Sequence, residues 1–391
     1  MKDRVIIWGA KDLGRYAVGK LRNEGYIVTA IIDNSAEAQG KTIEGIPVLS
    51  AESIRYESNN KNTILILTVM NSKSVFEVLG QIENFGFKNI GILKPRAGKY
   101  GLSLLLDLGE TEGEIVWYVK DGEKTQIIPR LEVNLIDNCN LNCVGCTHFS
   151  SIYGANSILP YKQFEKELKQ IRKIGKYVRL RLLGGEPFMV PMLEQYIRTV
   201  REIFPETDIE IVTNGLLVGQ LKAETLRAMK DCEISIVITL YKPTMQLKEK
   251  IAEVLNSYEL WWSFDGTLTT EFSRQLTLDN SHDGYEASKK CISSGCLFLR
   301  NGKIYKCPIA GLLNDFARYY NLDPVPDTGI SIYDDSFEVY KEIEKCAKAP
   351  TAICNYCSEE IEMIPWTVKR NAGLNDWLYQ SDGVLDKEKV E

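Results

Sequence analysis

Apolar and polar positions divide the 391-residue chain into three regimes. In the first, "RVIIWG", "YIVTAIID", "TILILTV" and "KNIGIL" are short apolar runs with the length and β-branched content of buried strands. Between them, "LGRYAVGKLRNEG" and "SVFEVLGQIENFG" carry apolar residues at helical spacing and end on Gly. This alternation predicts a parallel sheet covered by helices over residues 1–94. The pattern weakens over 95–129, where "KPRAGKY" and "LGETEGE" supply turn signals and predict a linker with a short hairpin. A second alternating series follows. "RLEVNLID", "YVRLRLLGG", "DIEIVTNG", "ISIVITLY" and "YELWWSF" read as strands, separated by the helical patterns "YKQFEKELKQIRKIG", "PMLEQYIRTVREIF", "AETLRAMKD" and "PTMQLKEKIAEVLNS". Five or more strand–helix units predict a partial (β/α)6 barrel over 130–285, with its working end at the C-terminal ends of the strands. Residues 286–391 are richer in cysteine and turns and predict a small cysteine-rich domain. The overall expectation is an α/β chain of three units.

The first strand–helix turn, "GAKDLG", invites comparison with the Rossmann dinucleotide fingerprint, and Asp33 ends the second strand where a ribose-binding acid would sit. Only Gly9 and Gly14 of the three glycines are present. Lys11 stands where the middle one would let backbone approach a pyrophosphate, so a plain structural turn remains the rival reading.

Composition removes several function classes. The net charge of −6 leaves no electrostatic footprint for nucleic acid, and the two histidines, His148 and His282, argue against sites built on several imidazoles. "TILILTVM", the longest apolar run, is too short to span a bilayer, and "MKDRVIIWGAKD" lacks a signal-peptide pattern. The expected location is cytoplasmic, with ten cysteines acting as metal ligands or redox groups rather than as a disulfide frame.

Three of them, Cys139, Cys143 and Cys146, fall inside "DNCNLNCVGCTHFS". Three thiols cannot all pair, and a closed zinc site wants four ligands, usually gathered as two close pairs. An iron–sulfur cube also takes four thiolates, so three supplied by protein leave one iron open to another ligand. In "LLGGEP", Gly184 and Gly185 let backbone approach a ligand, while Glu186 offers a charge to an ammonium. Further on, Asn301-Gly302 predicts a two-residue hairpin. Counting outward sets Arg300 opposite Lys303, Leu299 opposite Ile304 and Cys296 opposite Cys307, with β-carbons of opposed residues roughly 4.5–5.5 Å apart. Cys354 and Cys357 form a close pair, and Cys291 precedes Cys296 by five residues. Cys232 and Cys346 read as ordinary buried thiols.

The spacing C-x3-C-x2-C after the first strand of the second series, followed by "GGEP" after the next, resembles the radical S-adenosylmethionine (radical SAM) enzymes from about Arg130 onward. The resemblance implies that Cys139, Cys143 and Cys146 hold a [4Fe–4S] cluster whose fourth iron binds S-adenosylmethionine. It implies that Gly184, Gly185, Glu186 and Pro187 receive the methionyl ammonium, and that Thr213 and Asn214 of "TNG" make nucleoside and carboxylate contacts. The residue before the third cysteine, commonly aromatic in that family, is Gly145 here. Its backbone contact is retained, and Phe149 is the expected source of the missing packing. His148, beside the loop, is expected to hydrogen-bond near the cluster rather than ligate it.

The later cysteines resemble the auxiliary-cluster domains of SPASM and twitch type, with "GKIYKC" matching their G-x4-C element at Gly302 and Cys307. The full seven-cysteine pattern is absent. One auxiliary [4Fe–4S] cluster on Cys307, Cys354, Cys357 and either Cys291 or Cys296 is implied, with zinc as the alternative. The thiol left over is a candidate hydrogen-atom donor. The resemblance further implies a flavodoxin- or ferredoxin-like electron donor. The first ninety residues resemble nucleotide-sugar-binding domains of polysaccharide-biosynthesis proteins, and "CTHFS" with "CNYC" resembles radical enzymes associated with surface polysaccharides. The expected substrate is therefore a sugar or nucleotide-sugar, dehydrogenated or epimerised. A ribosomally made peptide is the second reading and a non-catalytic electron carrier the third.

Overall fold

Val5, Ile6, Ile7 and Trp8 are all buried, as a strand covered on both faces requires. They form β1 (Arg4–Trp8) in a computed structural model that describes residues 3–55, 62–69, 71–95 and 113–380. Helix α1 (Asp12–Asn23) lays Leu13, Ala17, Val18 and Leu21 on the sheet and leads to β2 (Ile27–Ile32). A small hairpin, β3 (Thr42–Ile43) and β4 (Ile46–Leu49), turns at Glu44-Gly45, both at positive φ. Then come β5 (Thr63–Leu67), α2 (Ser72–Ile82), β6 (Asn89–Pro95), β7 (Gly113–Lys120) and β8 (Glu123–Lys124). The strand order is β3-β4-β2-β1-β5-β6-β7-β8, parallel from β4 to β6 and antiparallel at both edges. The hairpin expected in the linker is β7–β8, and it extends this sheet. The turn segments proper, 96–112, lie outside the described residues.

The glycines of "GAKDLG" have a packing role. Gly9 sits at φ +122°, and a β-carbon on Gly14 would lie 1.9 Å from the Gly9 carbonyl oxygen. Gly14→Ala is expected to destabilise the protein by about 3 kcal/mol in urea unfolding. Gly19, in the same helix with open space around it, is the control: Gly19→Ala should stabilise by about 0.5–1 kcal/mol. Equal effects at the two positions would mean that α1 does not pack this closely on β1.

The second series gives β9 (Ile127–Ile136), α3 (Tyr161–Ile171), β10 (Lys176–Gly184), α4 (Leu193–Ile203), β11 (Asp208–Thr213), α5 (Ala223–Asp231) and β12 (Ser235–Ile238). The last helical stretch breaks at Leu247 into α6 (Lys242–Gln246) and α7 (Lys248–Ser257), and β13 (Trp261–Phe264) follows. Leu131, Val133, Leu180, Leu182, Ile209 and Ile211 alternate along β9–β11 with charged neighbours. Those neighbours pair across the strands: Arg179 with Asp208 and Glu210, and Arg181 with Glu210 and Glu132.

Beyond β13 lie β14 (Glu271–Leu276), α8 (Gly284–Lys290), β15 (Phe298–Arg300), β16 (Lys303–Tyr305), α9 (Pro308–Tyr319), β17 (Ile330–Ser331), α10 (Ser336–Lys348) and β18 (Cys357–Pro365). The hairpin expected in a separate C-terminal domain does not stand apart. β15 pairs parallel with β9, so the central sheet runs β13-β12-β11-β10-β9-β15-β16-β17. Six of its strands are parallel, and its two edge strands do not meet. β14 and β18 form a separate antiparallel pair. The N-terminal sheet is tied to the central one through Ser72, whose hydroxyl bridges the Arg130 backbone, and through buried Lys94, whose ammonium donates to Glu206 O. Among the described residues no helix is long and apolar enough to cross a membrane.

Candidate active site

β9 ends at Ile136, and the three-cysteine loop begins at once. β10 ends beside it, and the two chains touch at the backbone. Gly185 N–H donates to Ile136 O at 2.7 Å and Glu186 N–H to Asn138 O at 3.0 Å. A β-carbon on Gly184 would lie 2.0 Å from Ile136 O, and one on Gly185 2.0 Å from Asn138 O. The two glycines let β10 close on the start of the cysteine loop, which fixes where both Glu186 and the thiols sit.

Glu186 has no exposed surface. One of its oxygens accepts from Phe188 N–H (3.0 Å) and the Thr213 hydroxyl (2.8 Å), the other from Asn214 N–H (2.9 Å). Burial outweighs these donors and pushes its carboxyl up to about 7. Pro187 opens the short turn that follows and is itself buried. Asn214 also reaches the loop, its amide donating to Asn140 Oδ1 at 2.6 Å and to Cys139 Sγ at 3.7 Å. Burial, then Glu186, Cys146 and Cys143, push Cys139 up to about 12 against a backbone donor at Leu141. Burial and Cys146 bring Cys143 to about 12 against the indole of Trp366. The Tyr241 hydroxyl is raised by burial and by Cys143, Cys146, Cys139 and Glu186.

A second group of thiols is separate from the first. Burial raises Cys307 well above the ordinary thiol range, with Cys291, Cys357 and Cys354 as its neighbours, and burial, then Cys291 and Cys354, raise Cys357. All four line one cavity, which Gly145 and Cys146 of the first loop also reach. Buried Lys306 lines it too, its ammonium donating to the Cys346 and Ala347 carbonyls at the end of α10. Cys296 does not line this cavity. The hairpin register is as counted, but the ladder stops at Phe298–Tyr305. Beyond it Cys307 caps α9, and Cys296 turns to accept from Arg130 Nη2 at 3.0 Å, beside Glu132. Cys296 is thus level with Arg130, and Ile136, where the cysteine loop starts, lies about 20 Å further along β9. Cys232 and Cys346 are buried, as expected, and Cys346 lies within electrostatic reach of Cys354. Among the described residues no three His, Cys, Asp or Glu side chains converge on the position of one metal ion.

Residues 133–261, which contain the cysteine loop, Glu186 and the 213–215 turn, match the Radical SAM superfamily. The chain carries a radical SAM domain. Residues 1–93 match a second family, C2185-like, N-terminal. The chain is similar to the GTP 3′,8-cyclase of Limosilactobacillus fermentum, 25% identical over 115 residues covering 29% of this chain and 34% of that protein. It is similar to the GTP 3′,8-cyclase of Aquifex aeolicus, 27% identical over 125 residues covering 31% and 38%. It spans about a third of the length of these relatives. Among solved structures, Streptococcus suis SuiB bound to S-adenosylmethionine aligns over 34% of this chain and 33% of its own, at 20% identity and a TM-score of 0.29.

Membership of that superfamily implies a [4Fe–4S] cluster and S-adenosylmethionine, and the residues of the radical SAM domain fit both. Thiols held near 12 stay protonated until a cation compensates them, which is what iron does on binding. A buried carboxyl near 7 likewise awaits a positive partner. Gly145, at φ +74°, packs under Ile364. Phe149 is buried against Phe316 and Trp377. His148 makes no hydrogen bond at Nε2, contrary to expectation. It meets Phe298 edge-on, and burial lowers it to about 4. The aromatic side chains at the thiols are Tyr241, Trp366 and Trp377, which sequence reasoning missed. Only the density of Trp and Tyr near "LY" and "PW" could have hinted at them.

Proposed function

We propose that Cys139, Cys143 and Cys146 hold the [4Fe–4S] cluster of a radical enzyme, and that Cys291, Cys307, Cys354 and Cys357 hold a second, auxiliary one. The observation that carries this reading is the gathering of three thiols and the buried Glu186 carboxyl at the ends of β9–β11, with β10 held to the cysteine loop by backbone hydrogen bonds. When bound, the clusters and S-adenosylmethionine supply a 5′-deoxyadenosyl radical that takes hydrogen from an unactivated carbon, and a nearby acceptor for the electron left behind.

The chain's own part is to orient and protect. Glu186 meets the methionyl ammonium, with Thr213 and Asn214 N–H fixing its carboxylate. Asn214 and Gly145 line the nucleoside side. Tyr241, Trp366 and Trp377 wall the loop and keep water and stray hydrogen donors away. Dehydrogenation is favoured over epimerisation, because the unassigned thiol, Cys296, points toward Arg130 and Glu132 rather than into the site.

The substrate we propose is a nucleotide-sugar or related carbohydrate. Its support is a crevice of about 320 Å³ in the N-terminal sheet, lined by Ala10, Lys11, Arg15, Asp33, Ser35 and Lys41. Asp33 does not present itself to a ribose. Its two oxygens accept from Ala10 N–H (2.7 Å) and Ser35 N–H (2.8 Å) and brace the turn. Lys11 and Arg15 pair with no acid among the described residues, and a pyrophosphate is the ligand chemistry they suit.

The reconstituted, reduced protein given S-adenosylmethionine and a panel of nucleotide-sugars should form 5′-deoxyadenosine and return one sugar two mass units lighter. The double variant Lys11→Ala/Arg15→Ala should raise KM for that sugar about tenfold and leave uncoupled cofactor cleavage unchanged. Cleavage with no change in any sugar, or a KM indifferent to the two cations, would redirect the search to peptides.

A further inference from the structure

Residues 142–144 and 366–369 form a short antiparallel ladder across 223 positions of sequence. Cys143 bridges Val368, Val144 N–H donates to Thr367 O at 3.0 Å, and Lys369 N–H donates to Asn142 O at 2.8 Å. The second segment is delivered by β18, and Trp366 N–H donates to Thr270 O at 2.8 Å just ahead of β14. The indole of Trp366 stacks on Tyr241 (centroids 5.1 Å apart, planes at 23°). From that position Nε1–H donates to Cys143 Sγ at 3.3 Å. The other side-chain contacts to the three loop thiols are longer: Asn214 to Cys139 at 3.7 Å, Cys139 to Asn140 Oδ1 at 3.8 Å, and Cys146 with Ser150 at 3.8 Å.

We infer that Trp366 is a positioning residue that sets the reduction potential of the first cluster through its indole N–H to Cys143. The inference rests on the proposal that Cys139, Cys143 and Cys146 hold that cluster. Reduction adds one negative charge, shared among the cluster's sulfurs. A donor aimed at a sulfur stabilises the more negative state more, and in a buried site this effect is little screened. The indole is neutral, so it raises the potential without attracting an anion to the site. Its stack on Tyr241 holds the ring and limits the entropy spent on keeping the bond aligned.

The test is a redox titration, followed by paramagnetic resonance, of the reconstituted full chain and its Trp366→Phe variant. Phenylalanine keeps the stack and loses the donor. The midpoint of the first cluster should fall by the equivalent of about a tenfold change in the reduction equilibrium, ~59 mV for one electron. The auxiliary cluster should not move. An unchanged first midpoint in a variant with full iron overturns the inference.

A second readout keeps Trp366 in place. Trp377→Phe protein carrying ¹⁵N in the tryptophan indoles, and so without the other indole at the loop, should show one coupled tryptophan nitrogen in the spectrum of the reduced first cluster. Its absence overturns the inference even if Trp366→Phe fails to assemble. A wild-type protein that binds no cluster at Cys139–Cys146 would overturn both this inference and the reading beneath it. A cluster without the coupling would overturn this inference alone.

Discussion

Cys143→Ala protein, reconstituted with iron and sulfide, is expected to keep about four of about eight irons and to make no 5′-deoxyadenosine, a loss of at least roughly a thousandfold. Cys307→Ala should lose a similar amount of iron yet still cleave S-adenosylmethionine, with the substrate left unoxidised. The contrast follows from how the thiols are grouped. Beyond burial, Cys139 is raised by Glu186, Cys146 and Cys143, and Cys143 by Cys146. Cys307 answers to Cys291, Cys357 and Cys354. No thiol belongs to both lists, so removing a ligand from one group should leave the other able to assemble. Both groups border one cavity, however, lined by Cys146 and by Cys307. Loss of all iron in Cys307→Ala would mean that the two groups fold as a unit, and that the iron count cannot separate them.

Glu186→Gln should weaken S-adenosylmethionine binding about a hundredfold at pH 8 and make it independent of pH. In the folded protein without cofactor, the Glu186 carboxyl is raised from its ordinary 4.5 to about 7 by burial. The fold therefore holds a proton there that the unfolded chain gives up near pH 4.5. This contribution to stability is fully present below pH 4.5 and is lost as pH rises through 7. A methionyl ammonium needs the ionised form, so the signs oppose. Wild-type affinity should rise about tenfold per pH unit up to about 7 and then level. Glutamine keeps an oxygen to accept from its neighbours but has neither the charge nor the titration. Isothermal titration of S-adenosylmethionine from pH 6 to 8, with intact cluster in both proteins, measures this. A sloping profile in Glu186→Gln would assign the titration to another group.

The local parts of this site were legible in the sequence because they depend on short-range rules. Strand–helix alternation placed β9, β10 and β11 and put the cysteine loop and Glu186 at their ends. The Asn301-Gly302 turn, with φ of 49° and 72°, fixed the hairpin register. Reasoning failed where a rule was carried past its range. Opposed cysteines require the ladder to continue beyond Phe298–Tyr305. Cys307 instead takes the N-cap of α9, because Pro308 is suited to a first helical turn and not to another ladder bond.

The parts that were not legible are long-range. β15 has three residues, too few to advertise that its partner is β9. Nothing local shows that the Ile136 and Asn138 carbonyls lie against Gly184 and Gly185. The indole of Trp366 reaches Cys143 only through the β14–β18 pairing, a contact no local pattern encodes.

That last contact also bears on the order of events during synthesis. The ribosome delivers Cys139, Cys143 and Cys146 early and Trp366 223 residues after Cys143. Trp377, whose indole N–H donates to Cys146 O at 3.1 Å, comes later still. Through most of translation the cysteine loop of the nascent chain has no partner for Asn142, Val144 or the Cys143 sulfur, and three thiols stand open to any soft metal ion the cell offers. Faithful loading with iron therefore belongs at the end of chain growth, once residues 366–369 have paired with the loop.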